Sequence, residues 1–181
     1  MKQTLLFVLG GIMLAGIIHI ATVLLVPHFA TNDAWEEMRR FGRPGVFHVL
    51  PMAVAGSEPL AELDPQMLYA VCRFSLEDGP VRIGASLLDD FWSVAIFDRR
   101  GRNVYSLNDR SAASTQLDLT VITPVQMAQL RQNPPEALET SIVVEIPIEE
   151  GMALIRAFVA DDTMLPEARA ALETADCSET L

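Results

Sequence analysis

Residues 91–108 read FWSVAIFDRRGRNVYSLN, and the fold turns on this stretch. Phe91 to Asp98 is apolar at consecutive positions, so an extended chain here needs cover on both faces, as a central strand does. The chain reverses at Arg99-Arg100-Gly101, and Arg102 to Asn108 returns beside it as the second arm of a hairpin. On the N-terminal side, Leu68 to Leu76 (LYAVCRFSL) alternates, with Leu68, Ala70, Cys72, Phe74 and Leu76 on one face. Glu77-Asp78-Gly79-Pro80 is a turn and Val81 to Ala85 a further strand. On the C-terminal side, Gln116 to Ile122 alternates and stops at Pro124, residues 125–132 form a brief helix, and Pro134-Pro135 breaks it. Ser141 to Ile148 and Met152 to Val159 flank Glu149-Glu150-Gly151. The second of these is compatible with helix by composition, but its length, the glycine turn and the β-rich neighbour favour strand. Leu165 to Thr174 places Pro166 in its first turn and Leu165, Ala168 and Leu172 on one face, which predicts a terminal helix.

Seven short strands with few helices predict a mainly β domain over residues 67–181, an antiparallel β-sandwich of jelly-roll type with a short C-terminal helix. Its expected core contains Phe91, Val94, Ile96, Phe97, Tyr105, Leu107, Leu119 and Val121. Upstream, Thr31, Asn32 and Asp33 are N-cap residue types ahead of an i, i+4, i+7 apolar stripe, Ala34, Met38 and Phe41. The stripe predicts a juxtamembrane helix ending at Gly42, with Trp35 where an interfacial aromatic sits. Residues 42–66 are rich in Pro and Gly, with one apolar run at Val46 to Leu50, so residues 31–66 read as a short helix and linker.

Leu5 to Val26 is a run of 22 residues without formal charge. At about 1.5 Å per residue, a helix of that length crosses a hydrocarbon core of roughly 30 Å. A cleavable signal has a shorter apolar region and small residues at its cleavage site; here Pro27, His28 and Phe29 follow. No Cys near the N-terminus offers a lipoprotein anchor. Residues 1–30 therefore read as an uncleaved transmembrane anchor. His19 within it is either a proton-relay group or a neutral ring leaning toward the headgroups, and the isolation of that ring favours the second. A literal count of Arg39, Arg40 and Arg43 against Lys2 favours a cytoplasmic domain. The three-residue polar tail and the distance of those Arg from the span favour the opposite arrangement, tail in and domain out.

The 181 residues carry 13 Lys+Arg and 24 Asp+Glu, a net −11, and Lys2 is the sole lysine. Half the residues are hydrophobic, which excludes a disordered chain. Beyond residue 30 stand twelve Arg against 24 acids. Such a surface repels phosphate backbones, so no nucleic-acid partner is expected. No H-E-x-x-H, C-x-x-C, G-x-S-x-G, P-loop or dinucleotide fingerprint occurs, so neither a metal nor a cofactor is expected. His28 and His48 are isolated. Asp89-Asp90 and Asp161-Asp162 are consecutive and fall near run ends, which suits turns and caps better than acid/base pairs.

The densest polar constellation is Asp98, Arg99, Arg100, Arg102, Asn108, Asp109 and Arg110. If Asn108, Asp109 and Arg110 converge with Trp92 and Tyr105 at one end of the fold, guanidinium donors there would bind a carboxylate or an acidic partner bidentately. The competing reading makes the Arg turn-tip solvators and Asp109-Arg110 a structural ion pair. Cys72 and Cys177 are the only cysteines; in an extracytoplasmic domain they permit a bridge, which is the expected state here, and in a cytosolic one they would be two buried thiols.

The stretches Leu63-Asp64-Pro65, Leu76-x-x-Gly79-Pro80-Val81, Phe91-Trp92-Ser93-Val94 and Gly101-Arg102-Asn103-Val104-Tyr105-Ser106-Leu107-Asn108-Asp109 resemble the family called domain of unknown function 1254, in particular its short, membrane-anchored bacterial members. The resemblance spans most of residues 60–160. It implies a β-sandwich in a bacterial envelope and supplies no catalytic residue. Longer relatives carry a second β-rich domain, domain of unknown function 1214, after this region. Two functions are therefore expected to compete. One is a non-catalytic inner-membrane protein whose periplasmic sandwich binds a protein partner, such as a separate chain carrying that second domain. The other is a small-ligand binder or enzyme with a pocket near Trp92, Tyr105, Asn108 and Arg110.

Overall fold

The computed structural model describes residues 2–29, 34–54, 56–60, 63–112, 114–132 and 141–179. The chain divides into two compact units, Met1–Asp33 and Ala34–Leu181. In the first, helix α1 spans Lys2–Phe29. Within its Lys2–Val26 portion an 18-residue window reaches a mean hydropathy of 2.3, and the portion meets the length and composition of a membrane span, criteria that a signal sequence also meets.

The second unit is mostly β. In chain order it runs α2 (Ala34–Arg39), β1 (His48–Val49), β2 (Met67–Ser75), β3 (Val81–Ser86), β4 (Trp92–Asp98), β5 (Asn103–Asn108) and α3 (Asp109–Ala112). It continues with β6 (Gln116–Ile122), α4 (Pro124–Leu130), β7 (Ile142–Glu145), β8 (Glu150–Phe158), α5 (Leu165–Glu173) and β9 (Asp176–Glu179). The strands form two sheets, a five-stranded one in the order β1-β2-β8-β4-β5 and a four-stranded one in the order β7-β6-β3-β9. The β4–β5 hairpin forms, pairing Ser93 with Asn108 and Ile96 with Tyr105, with a bulge after Ile96. Period-2 alternation then sets the inward face. Leu68, Ala70, Cys72 and Phe74 of β2 join Trp92, Val94 and Ile96 of β4, and across from them Val81 and Ile83 of β3 join Leu119 and Val121 of β6 in one buried cluster. Each such aliphatic side chain contributes about 1.5–3 kcal/mol when fully buried.

Four expectations need correction. The sheets are not wholly antiparallel: β6 and β7 run parallel, because the chain crosses over through α4 instead of turning back in a hairpin. Val94, Ile96, Leu119 and Val121 are fully buried, but Phe91, Phe97, Tyr105 and Leu107 are only half-buried. Tyr105 and Leu107 lie on the edge strand β5, Phe91 precedes β4, and Phe97 faces outward. Residues from Ala34 onward belong to the compact unit, so most of residues 31–66 is integrated where a linker was expected. Trp35 and Met38 of α2 pack with Leu50, Tyr69, Val71 and Met152 in a second cluster on the outer face of the larger sheet. Trp35, expected at a membrane interface, is 6% exposed, with the Arg73 and Arg99 guanidinium groups 5.5 and 5.3 Å from its ring centre. The cap residues 31–33 and Pro134-Pro135 lie outside the described residues.

Cys72 and Cys177 are bonded, joining β2 of one sheet to β9 of the other across a sequence separation of 105, with Cα atoms 6.6 Å apart. Cys177 reaches this position because β9 adds to the edge of the smaller sheet, pairing with Ile83.

Candidate functional site

The residues expected to converge divide between the two faces of the larger sheet. On β5, positions three apart point to opposite faces, so Tyr105 packs toward the central cluster while Asn108 sits in register with Ser93 on the outer face. Trp92 is 1% exposed within the central cluster. Asn108 Oδ1 accepts from the Ser111 N–H and hydroxyl, both at 3.0 Å, and so caps α3. Asp109 opens that helix with one carboxylate oxygen buried and without a hydrogen bond among the described residues. Arg110 is exposed, and among the described residues no ion pair joins it to Asp109.

The arginine-rich turn lies at the other end of the hairpin and holds itself together. Asp98 Oδ1 accepts from the Arg100 and Arg102 N–H groups at 2.9 Å, and Oδ2 from Arg102 Nε at 2.7 Å. Burial alone would raise the Asp98 pKa, but these donors outweigh it and hold the carboxyl below its usual 3.8. Arg99 bridges Glu150 at 2.8 Å. These contacts build the turn itself, while the Asp109–Arg110 ion pair that the structural reading included does not form among the described residues.

At that same end of the unit lies an open groove of about 840 Å³. One wall is the turn after β2, from Leu76 to Pro80; another is the start of α4, and the third is the segment Pro147 to Glu149. Local chemistry fixes these walls. Thr123 caps α4 through a reciprocal box: its Oγ1 accepts from the Gln126 N–H at 3.2 Å, and Gln126 Oε1 accepts from the Thr123 N–H at 3.0 Å. The Gln126 amide nitrogen then donates to the Leu76 carbonyl at 2.5 Å, tying α4 to the end of β2. The Leu76 N–H donates to the Glu149 carbonyl at 2.7 Å, tying that end to the third wall. Val125, 69% exposed, and Ile148 present apolar surface to the groove, while Glu77, Asp78 and Glu149 stand exposed around it and, among the described residues, no Lys, Arg or His lines it. An apolar floor inside an acidic rim suits an apolar side chain flanked by cations. Sequence reading missed this groove, because its walls are turn residues from three distant segments; the one local signal was the cap pattern Thr123-Pro124-x-Gln126. Among the described residues no three His, Cys, Asp or Glu side chains are grouped to hold a metal ion.

Residues 46–178 match the family described as "Protein of unknown function (DUF1254)", and the chain belongs to that family. The solved structures similar to it include the following two. The VPA0106 protein from Vibrio parahaemolyticus matches over 80% of this chain and 34% of its own, at 11% identity and a TM-score of 0.56. A putative uncharacterized protein from Burkholderia cenocepacia matches over 66% of this chain and 33% of its own, at 16% identity and a TM-score of 0.46. The chain thus spans about a third of the length of these neighbours, and the first of them shows a shared fold. No curated protein matched.

Proposed function

We propose that this chain is a non-catalytic, single-pass protein of a bacterial inner membrane whose periplasmic β-sandwich docks a separate β-rich protein chain of the kind fused in longer relatives. The observation that carries the reading is the acid-rimmed groove of about 840 Å³ beside α4. Its occupant is a partner loop that seats an apolar side chain against Val125 and Ile148 and directs Lys or Arg toward Glu77, Asp78 and Glu149. Supporting the sandwich is the single buried cluster to which both sheets contribute. Supporting the membrane tether is α1, uncharged from Leu5 to Val26. The periplasmic side is supported by the Cys72–Cys177 bond, since disulfides persist in oxidising compartments. Arg39 weighs little in the charge count for topology, because it lies within the compact unit and pairs with Glu36 at 3.2 Å.

The test uses full-length protein solubilised in detergent from its native membranes, compared with a variant carrying Glu77→Lys, Asp78→Lys and Glu149→Lys. The parent should co-purify with a β-rich chain, and the variant should lose that chain while keeping its melting temperature. Retention of the same chain by the variant, or no β-rich chain with the parent, would overturn the reading.

A further inference from the structure

The outer face of the larger sheet is covered unevenly. Helix α2 and its neighbours pack over β2 and β8, where Tyr69, Val71, Met152 and Leu154 form the second cluster. Over β4 and β5 the same face carries a depression of about 280 Å³, lined by Phe91, Phe97 and Leu154 together with Ser93, Asn108 and Arg156. The strand register explains how those polar groups meet. Arg156 stands opposite Ser93 across the β8–β4 pair, and Ser93 opposite Asn108 across the β4–β5 pair, so the three form one row on one face. Small residues behind that row, Ala95 and Ser106, leave the depression unfilled.

Arg156 is held in place without being neutralised. Its Nε donates to Ser93 Oγ at 2.6 Å, and its guanidinium carbon lies 5.8 Å from the Phe91 ring centre. Arg39, Arg82, Arg99, Arg102 and Arg131 each pair with a carboxylate, whereas no ion pair to Arg156 occurs among the described residues. Among the described residues no Asp or Glu lines the depression, although the chain as a whole carries −11. A guanidinium oriented through Nε keeps both terminal nitrogens for a planar acceptor, and a carboxylate matches that fork.

We infer that the depression over β4, β5 and β8 is a binding site for a small organic carboxylate. The carboxylate pairs with the terminal nitrogens of Arg156, and an apolar or aromatic body lies against Phe91, Phe97 and Leu154. A volume near 280 Å³ falls just below the usual range of ligand pockets, about 300 to 1,000 Å³. That selects a ligand of benzoate size, and Asn108 and Ser93 limit the orientation of its head. The site lies on a different surface from the groove beside α4 and does not depend on it.

Benzoate is the probe, titrated into full-length protein in detergent with ¹⁵N-labelled arginine, and the Arg156 Nε–Hε resonance, identified by its loss in Arg156→Lys, is followed by NMR. Saturable binding in the millimolar range is expected, at least tenfold weaker for benzamide, which lacks the charge, and for inorganic phosphate, which lacks the body. Arg156→Gln, at an exposed position, should lower benzoate affinity at least tenfold, measured by perturbation of the Phe91 and Phe97 ring signals, and leave the melting temperature unchanged. Arg156→Lys should do nearly the same, since it keeps the charge and loses the fork. Equal binding of benzamide or phosphate, a response that does not saturate, or undiminished binding by either Arg156 variant would overturn the assignment.

Discussion

Asp98 illustrates how a single side chain builds one end of the second unit. It is 5% exposed, and its three N–H donors from Arg100 and Arg102 shape the turn between β4 and β5. Asp98→Asn leaves part of that donor set unsatisfied, a change worth roughly 1–3 kcal/mol at neutral pH, and equilibrium denaturation should read that loss. Because the folded-state pKa lies below 3.8, the contribution of Asp98 is fully present above that value and is lost as pH falls through the lower folded value. Asp118, held down first by its hydrogen bond from Arg82, behaves in the same direction. Thermal melts from pH 7 to pH 2 should therefore show a drop in the parent below about pH 4. That drop should be shallower in Asp98→Asn; an identical acid limb would show that the carboxylate does not hold the turn. The separation of Tyr105 from Asn108 was also legible at this level. Tyr105 and Asn108 are three positions apart on one strand, so alternation alone separates them. Arg156, by contrast, stands alone in sequence; only the register of β8 against β4 brings it to Ser93.

Among the elements, those with strong patterns were readable and those made by pairing alone were not. The alternation of Leu68–Leu76 and Gln116–Ile122 and the apolar run from Phe91 predicted β2, β6 and β4, because burial on a pleated face demands such patterns. Strands β1 and β9 have two and four residues, and β9 reads Asp-Cys-Ser-Glu, so nothing in their composition announces a strand. Pairing with β3 and the bond to Cys72 hold β9 in place. That bond closes a loop of 105 residues, worth about 5 kcal/mol in the chain-entropy model. Cys72→Ala with Cys177→Ala should lower stability by an amount of that order. Two alkylatable thiols in unreduced, denatured parent protein from membranes would contradict the bond. The parallel placement of β7 was not legible either, since it depends on the crossover through α4. Thr123→Ala removes the α4 cap and should cost about 0.5–2 kcal/mol. Because α4 forms a wall of the groove, the same change should weaken partner retention, read by co-purification; an unaltered complex would separate the helix from docking.

For the chain overall, an apolar N-terminal helix, two sheets stapled by a disulfide and an acid-rimmed groove at one end of the second unit compose the proposed docking protein. The groove lies where the turn after β2, the start of α4 and the segment before β8 meet, so partner contact should be local to that end and absent elsewhere. Site-specific photo-crosslinking in intact membranes measures this directly, with the crosslinking residue at Val125 in the groove or at Arg82 on the smaller sheet. The account predicts one discrete adduct from Val125, identified by mass spectrometry as a non-cytoplasmic β-rich chain, and none from Arg82. Equal adducts from both positions, or none from Val125, would contradict it.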